Sequence, residues 1–132
     1  MRLIKNNLNI IKTALSDDVI IVAVSKTKPT DEIMKIYDQG HIDFGENKVQ
    51  ELLIKEKELP KNINWHMIGH LQRNKVRSII PFVYLIHSVD SLRLLNKIDE
   101  EGKKINKEIK VLLQVKISDE VSKYGFNLFE IE

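Results

Sequence analysis

No cysteine occurs in the chain. That absence removes disulfides, thiolate zinc sites and thiol nucleophiles together, and it suits a reducing compartment. An excess of one charge is also missing: 21 Lys and Arg stand against 19 Asp and Glu, for a formal net charge of +2. Such a balance offers no electrostatic footprint for nucleic acid and no basic face for an acidic membrane. Nor is there a long apolar run. The longest, Val19 to Val24 and Ile79 to Ile86 with Pro81 inside it, fall far below the ~20 residues that cross a bilayer. Lys5, Asn6, Asn7, Asn9 and Lys12 break up the first fifteen residues, which therefore lack a signal-peptide core. There is no GxGxxG, no P-loop, no GxSxG and no paired-carboxylate motif, so dinucleotide binding, P-loop chemistry and serine hydrolysis lack support.

What remains is enough for an ordinary core. With 132 residues, 42% hydrophobic and 30% charged, the sequence predicts one soluble, cytoplasmic domain. The apolar pattern alternates between two periods. Leu3, Ile4, Leu8, Ile11 and Leu15 recur at helical spacing up to the Ser16-Asp17-Asp18 turn. Val19 to Ser25 is a continuous apolar, β-branched run that reads as a buried strand. Pro29-Thr30-Asp31-Glu32 opens a helix with Thr30 as its expected N-cap and acids in the first turn. Ile33, Ile36 and Tyr37 form its apolar face, and Gly40 is its stop.

The alternation continues to the end. Ile42 to Gly45, Trp65 to Gly69, Tyr84 to Val89 and Val111 to Ile117 read as strands two to five, the last the longest. Asn47 to Glu58, Asn74 to Ile80 and a Ser91-capped segment with Leu92, Leu95 and Ile98 before Gly102 read as the helices between them. Lys103 to Lys110 is a solvated connection, and Asn127 caps a helix that has barely begun. A helix followed by strand–helix units predicts a parallel α/β sheet with right-handed crossovers, either an open doubly wound sheet or a closed β/α barrel. In both, chemistry belongs at the carboxyl ends of the strands.

Those ends hold Ser25-Lys26-Thr27-Lys28, Glu46-Asn47, Gly69-His70, Ser88-Val89-Asp90 and Ser118 to Gly125. Two readings fit Lys26. At the mouth of a dry strand, desolvation would lower its pKa and free an amine to condense with an aldehyde. Alternatively its stem lies on the sheet edge with its head in water. Lys28, just before Pro29, reads as a solvated turn residue. Gly45 allows close backbone approach of a ligand, while Asn47 either offers its amide to that ligand or caps the next helix. His66 and His70 bracket a strand end and share no helical face, so no metal site is expected. A histidine inside a strand end, such as His66 or His87, reads as a hydrogen-bonded wall of a site. Arg73, Lys75 and Arg77 read as a solvated basic helix face in preference to an anion site.

Longer stretches are specific. Ala23-Val24-Ser25-Lys26-Thr27-Lys28-Pro29, Phe44-Gly45-Glu46-Asn47-Lys48-Val49-Gln50-Glu51 and Trp65-His66-Met67-Ile68-Gly69-His70-Leu71-Gln72-Arg73-Asn74-Lys75 resemble the pyridoxal phosphate homeostasis protein family. The likeness continues through His87-Ser88-Val89-Asp90, Ile117-Ser118-Asp119-Glu120 and Ser122-Lys123-Tyr124-Gly125-Phe126, in order over essentially the whole chain. The resemblance implies an alanine-racemase-like, TIM-like (β/α) barrel of the PLP fold-type III kind, holding pyridoxal 5′-phosphate (PLP) through a lysine Schiff base. The family's Schiff-base lysine follows the first strand, which is Lys26 here and not Lys28. Asn47, His66 and His87 fall where strands two, three and four deliver side chains toward the cofactor ring, and Lys123 stands near as a second amine at the rim. The implied role is intracellular PLP homeostasis without established catalysis. The implied partners are PLP and PLP-dependent apo-enzymes, with no nucleic acid and no membrane.

Members of that family run well over two hundred residues. Against them, residues 1–132 read as a single PLP-binding α/β barrel domain holding about five of eight strands. The glycine- and serine-containing segment that grips the phosphate in the family is not among them. The expectations are weak retention of PLP by these residues alone, and open sheet edges with uncovered apolar surface. Two other readings stand beside homeostasis: a PLP-dependent racemase-like or decarboxylating enzyme of the same fold, and a cofactor-free remnant or interaction module.

Overall fold

The computed structural model describes residues 2–117 and 124–131. Helix α1 (Arg2–Ala14) leads into β1 (Ala23–Val24), after which helices and strands alternate. They are α2 (Thr30–Tyr37), β2 (Asp43–Glu46), α3 (Val49–Glu58), β3 (Asn64–Met67), α4 (Val76–Ile79), β4 (Val83–Val89), α5 (Leu92–Lys104) and β5 (Val111–Leu113). The five strands form one parallel sheet in sequential order, β1-β2-β3-β4-β5. Strand order never reverses, so the sheet has no topological switch point; this is the arrangement of a TIM-like barrel, here with five of its eight strands.

Local chemistry sets several boundaries. The Ser91 hydroxyl accepts the Leu94 N–H at 3.2 Å and caps α5 as expected. Thr30 does not cap α2. Pro29, extended at φ −70° and ψ 159°, occupies that position, and its carbonyl already accepts from Glu32 and Ile33. Residues 73–79 are not one helix: a 3-10 turn at Arg73–Lys75 precedes the single α-turn Val76–Ile79. At the far end Asn127 precedes a 3-10 turn, Leu128–Glu130, without capping it through its side chain.

The outer strands are shorter than their apolar runs. Only Ala23–Val24 of the first run and Val111–Leu113 of the fifth form strands, so the seven-residue β4 is the longest described strand. Each outer strand has one described neighbour. Beyond β5, Val115 forms an isolated parallel bridge with Phe126.

The core lies between the helices and one face of the sheet. Phe44 of β2, Trp65 and Met67 of β3 and Ile86 of β4 meet Leu52 of α3 and Ile98 of α5, all at most 2% exposed. Burying each such side chain contributes about 1.5–3 kcal/mol. Alternation then turns Asp43, Gly45, Asn64 and His66 to the opposite face, the interior of a barrel. That face and α1 stay partly uncovered: Val24 is 54% exposed, and α1 buries none of its residues. No helix among the described residues is long and apolar enough to cross a membrane.

Candidate functional site at the carboxyl ends of the strands

The pairing register aligns the site. Val24, Gly45, His66 and Leu85 are successive cross-strand partners in one row. Two residues further on, at the carboxyl end of the sheet, come Lys26, Asn47, Ile68 and His87. The Ser25 N–H to Gly45 carbonyl and Ile68 N–H to Glu46 carbonyl bonds carry the ladder past the strand ends toward these residues. Lys26 and Asn47 follow the carboxyl ends of β1 and β2, and His87 stands late in β4, with His66 inside β3.

Lys26 sits with Thr27 at the centre of a turn closed by the Lys28 N–H donating to the Ser25 carbonyl at 3.1 Å. Its side chain is exposed instead of lying in a dry mouth, and no ion pair or hydrogen bond among the described residues engages its Nζ. Lys28 is a solvated turn residue, 3.8 Å from Glu32. Thr27 has φ +62°, a left-handed conformation that a β-branched residue rarely adopts. The Glu51 carboxylate accepts the Thr27 N–H at 2.5 Å, and the Thr27 hydroxyl donates to the Lys26 carbonyl at 2.6 Å.

Behind this turn lies a buried ionic cluster. Lys55 of α3, only 5% exposed, donates to the Ser25 carbonyl at 2.7 Å, to Glu46 Oε1 at 2.5 Å and to Glu51 Oε1 at 2.7 Å. The Ser25 hydroxyl donates to Glu46 Oε1 at 2.8 Å. Burial pushes the Glu46 carboxyl above its ordinary range, against the hydrogen bonds from Lys55 and Ser25. The hydrogen bond from Lys55 holds Glu51 below that range. Neither Lys55 nor Glu51 stood out in the sequence as part of a site. Their i, i+4 spacing was the available signal, and it usually marks a solvated helix face.

The second polar group lies on the barrel face. His66, 1% exposed, has Nε2 2.9 Å from Asp43 Oδ1 and Nδ1 2.8 Å from His87 Nε2. Asn64 Nδ2 donates to the same Asp43 oxygen at 3.2 Å. The two histidines form a hydrogen-bonded pair. Asp43, which anchors it, is the residue that reading the strand ends alone passed over, because it opens β2. His70 is apart from this group in the loop after β3, paired with Asp90 at 3.2 Å and stacked on Tyr124. Among the described residues no group of three or more His, Asp or Glu is placed to hold a metal ion.

The glycines differ in what they permit. The space beside Gly45 is filled by Val22 and Ile68, each 3.0 Å from where a Cβ would stand. This glycine therefore serves packing and does not open the backbone to a ligand. Gly69 lets the loop after β3 cross the Asn47 backbone, for a Cβ there would come within 2.7 Å of Asn47 Cα. Asn47 is half-buried and does not cap α3, whose N-cap is Lys48. Lys123 and the rest of residues 118–123 lie outside the described residues.

The alanine racemase N-terminal domain family matches residues 1–132. The chain is 40% identical over 114 residues to the pyridoxal phosphate homeostasis protein of Homo sapiens, covering 80% of this chain and 42% of that one. It is 39% identical over 120 residues to the protein of the same name from Synechocystis, covering 89% and 55%. The chain thus spans about half the length of these curated relatives. The structure of PipY from Synechococcus elongatus with PLP bound superposes with a TM-score of 0.85 at 35% identity, over 94% of this chain and 58% of that one. The PLP-free PipY structure gives 0.90, over 97% and 60%.

Proposed function

The chain belongs to the alanine racemase N-terminal domain family, and from that premise we propose that it binds PLP for intracellular PLP homeostasis, with Lys26 as the Schiff-base lysine. The observation that carries the reading is that Lys26 follows β1 at the carboxyl edge of the sheet, where Asn47 follows β2 and His87 stands late in β4, and that the lysine amine has no competing partner among the described residues. PLP-bound PipY, similar over 94% of the chain, supports it. The donor set suits the cofactor. An aldehyde needs an accessible amine, which Lys26 presents from a turn whose backbone is held by α3. A polar aromatic ring needs an edge of directed donors and acceptors, which Asn47, relieved of capping, and His87 supply.

When bound, PLP supplies an electrophilic aldehyde; the rest of the work falls to the chain. Lys26 must give up a proton to present its lone pair. Asn47 orients the bound ring through its amide. His66, fixed between Asp43 and His87, orients the His87 imidazole. We assign none of these residues a catalytic role. The curated relatives bear the name of a homeostasis protein and not of an enzyme, which supports a carrier that passes PLP to apo-enzymes.

The test is direct. Purified protein mixed with PLP develops a yellow absorbance band, and borohydride reduction followed by peptide mass spectrometry places the fixed label on Lys26. Lys26→Ala loses both. A Lys26→Ala protein that binds PLP as well as the wild type, with the label on another lysine, overturns the assignment.

A further inference from the structure

We propose that Glu51 and Lys55 of α3 are positioning residues for Lys26, fixing the two peptide groups that flank it while leaving its side chain free. The proposal rests on the reading of Lys26 as the amine that bonds PLP. The carbonyl of Ser25 belongs to the peptide group before Lys26, and it accepts from Lys55 Nζ at 2.7 Å. The N–H of Thr27 belongs to the peptide group after Lys26, and it donates to Glu51 Oε1 at 2.5 Å. Peptide groups are planar, so fixing both leaves the Lys26 backbone little rotation, and with it the direction of its Cα–Cβ bond.

Two features separate this arrangement from an ordinary ion pair. One atom, Glu51 Oε1, accepts both the Thr27 N–H and the Lys55 ammonium, so the two tethers act as a unit. The turn they hold is also strained, because Thr27 is a β-branched residue at φ +62°. Backbone strain persists where the surroundings over-determine it, and it concentrates at functional positions. Glu46 and Ser25 complete the base of the brace, with Glu46 Oε1 accepting from both Lys55 and Ser25. All of these bonds lie on the helix side of the turn.

The experiment compares wild type, Glu51→Ala and Glu51→Gln, with and without PLP. In the cofactor-free protein, Glu51→Ala should speed hydrogen exchange of the Thr27 amide by about tenfold or more, the loss of one hydrogen bond to a charged acceptor, while the Met67 amide is unchanged. The same variant should weaken PLP binding by about tenfold and slow formation of the borohydride-fixed bond at Lys26. Glu51→Gln keeps an oxygen for the Thr27 N–H and should recover most of both losses. If Glu51→Ala lowers the melting temperature but leaves Thr27 exchange, PLP affinity and Lys26 labelling rate at wild-type values, the role is structural only and the proposal fails. A wild-type protein labelled at another lysine overturns the Lys26 reading instead, while Thr27 exchange still reports whether the brace exists.

Discussion

Nδ1 of His66 stands 2.8 Å from Nε2 of His87, and the Asp43 carboxylate lies 2.9 Å from Nε2 on the far side of the His66 ring. A carboxylate only accepts, so His66 donates to Asp43 from Nε2. Burial, and then the neighbouring His66, hold the His87 imidazole below its ordinary value of 6.5. The unfolded chain therefore binds the proton first, and stability should fall as pH drops through 6.5 toward the folded value. Melting temperatures measured from about pH 7.5 to about pH 5.5 should decline, and the decline should be smaller in His87→Gln. Equal slopes in the two proteins would contradict this account of His87.

Removing the Lys55 ammonium should be costly for a different reason. Glu46 has no exposed surface, and its Oε2 has no partner among the described residues. Lys55→Met keeps the buried stem but strands a carboxylate, a loss of about 3–5 kcal/mol in urea unfolding at neutral pH. The sign of the pH response identifies the cause. Burial raises the folded pKa of Glu46, so the native state protonates first, and stability should recover as pH falls toward 4.5. Adding Glu46→Gln to Lys55→Met should restore more than half of the loss at neutral pH. A double variant no more stable than Lys55→Met would show that the stranded charge is not responsible.

The strand–helix alternation, the solvated turn position of Lys28 and the Ser91 cap were legible because each depends on residues close in sequence. The bracing of Lys26 was not. Glu51 and Lys55 look like a solvated helical pair until the packing of α3 behind β1 and β2 buries the lysine. Asp43 was missed for a related reason: its partner lies 23 residues away, across a ladder that only the sheet register defines. The outer strands were read too long because apolar content extends beyond the pairing available at a sheet edge. Thr30 failed as a cap because Pro29 had already begun the helix.

Helix α1 shows that a well-formed apolar stripe need not be a buried one. Leu3 of that stripe is 71% exposed, and Ile10, beside it, 65%. Replacing both with Ser removes no core contact in residues 2–117, so each should change stability by no more than about 0.5 kcal/mol in chemical denaturation. Ile86→Ala, a fully buried position at the centre of the sheet, should lose about 2–5 kcal/mol in the same assay. Comparable losses for the two substitutions would mean that α1 packs against something in solution.

Gly69→Ala tests whether the loop after β3 positions Asn47. The added Cβ would stand 2.7 Å from Asn47 Cα and closer still to its carbonyl oxygen. Both are backbone atoms, so no flexible side chain can yield, and one of the two chain segments must shift. The expected cost is about 1–3 kcal/mol or more of stability. The shift should also displace Asn47 at the carboxyl edge of the sheet, and PLP binding should weaken by more than the stability loss alone can explain. The control is Gly40→Ala, where φ is +87° but nothing lies within 4 Å of the added carbon. Strain there should lower stability without changing PLP affinity in the folded protein. If Gly69→Ala and Gly40→Ala affect PLP binding equally once matched for stability, the crossing at Asn47 has no special part in forming the site.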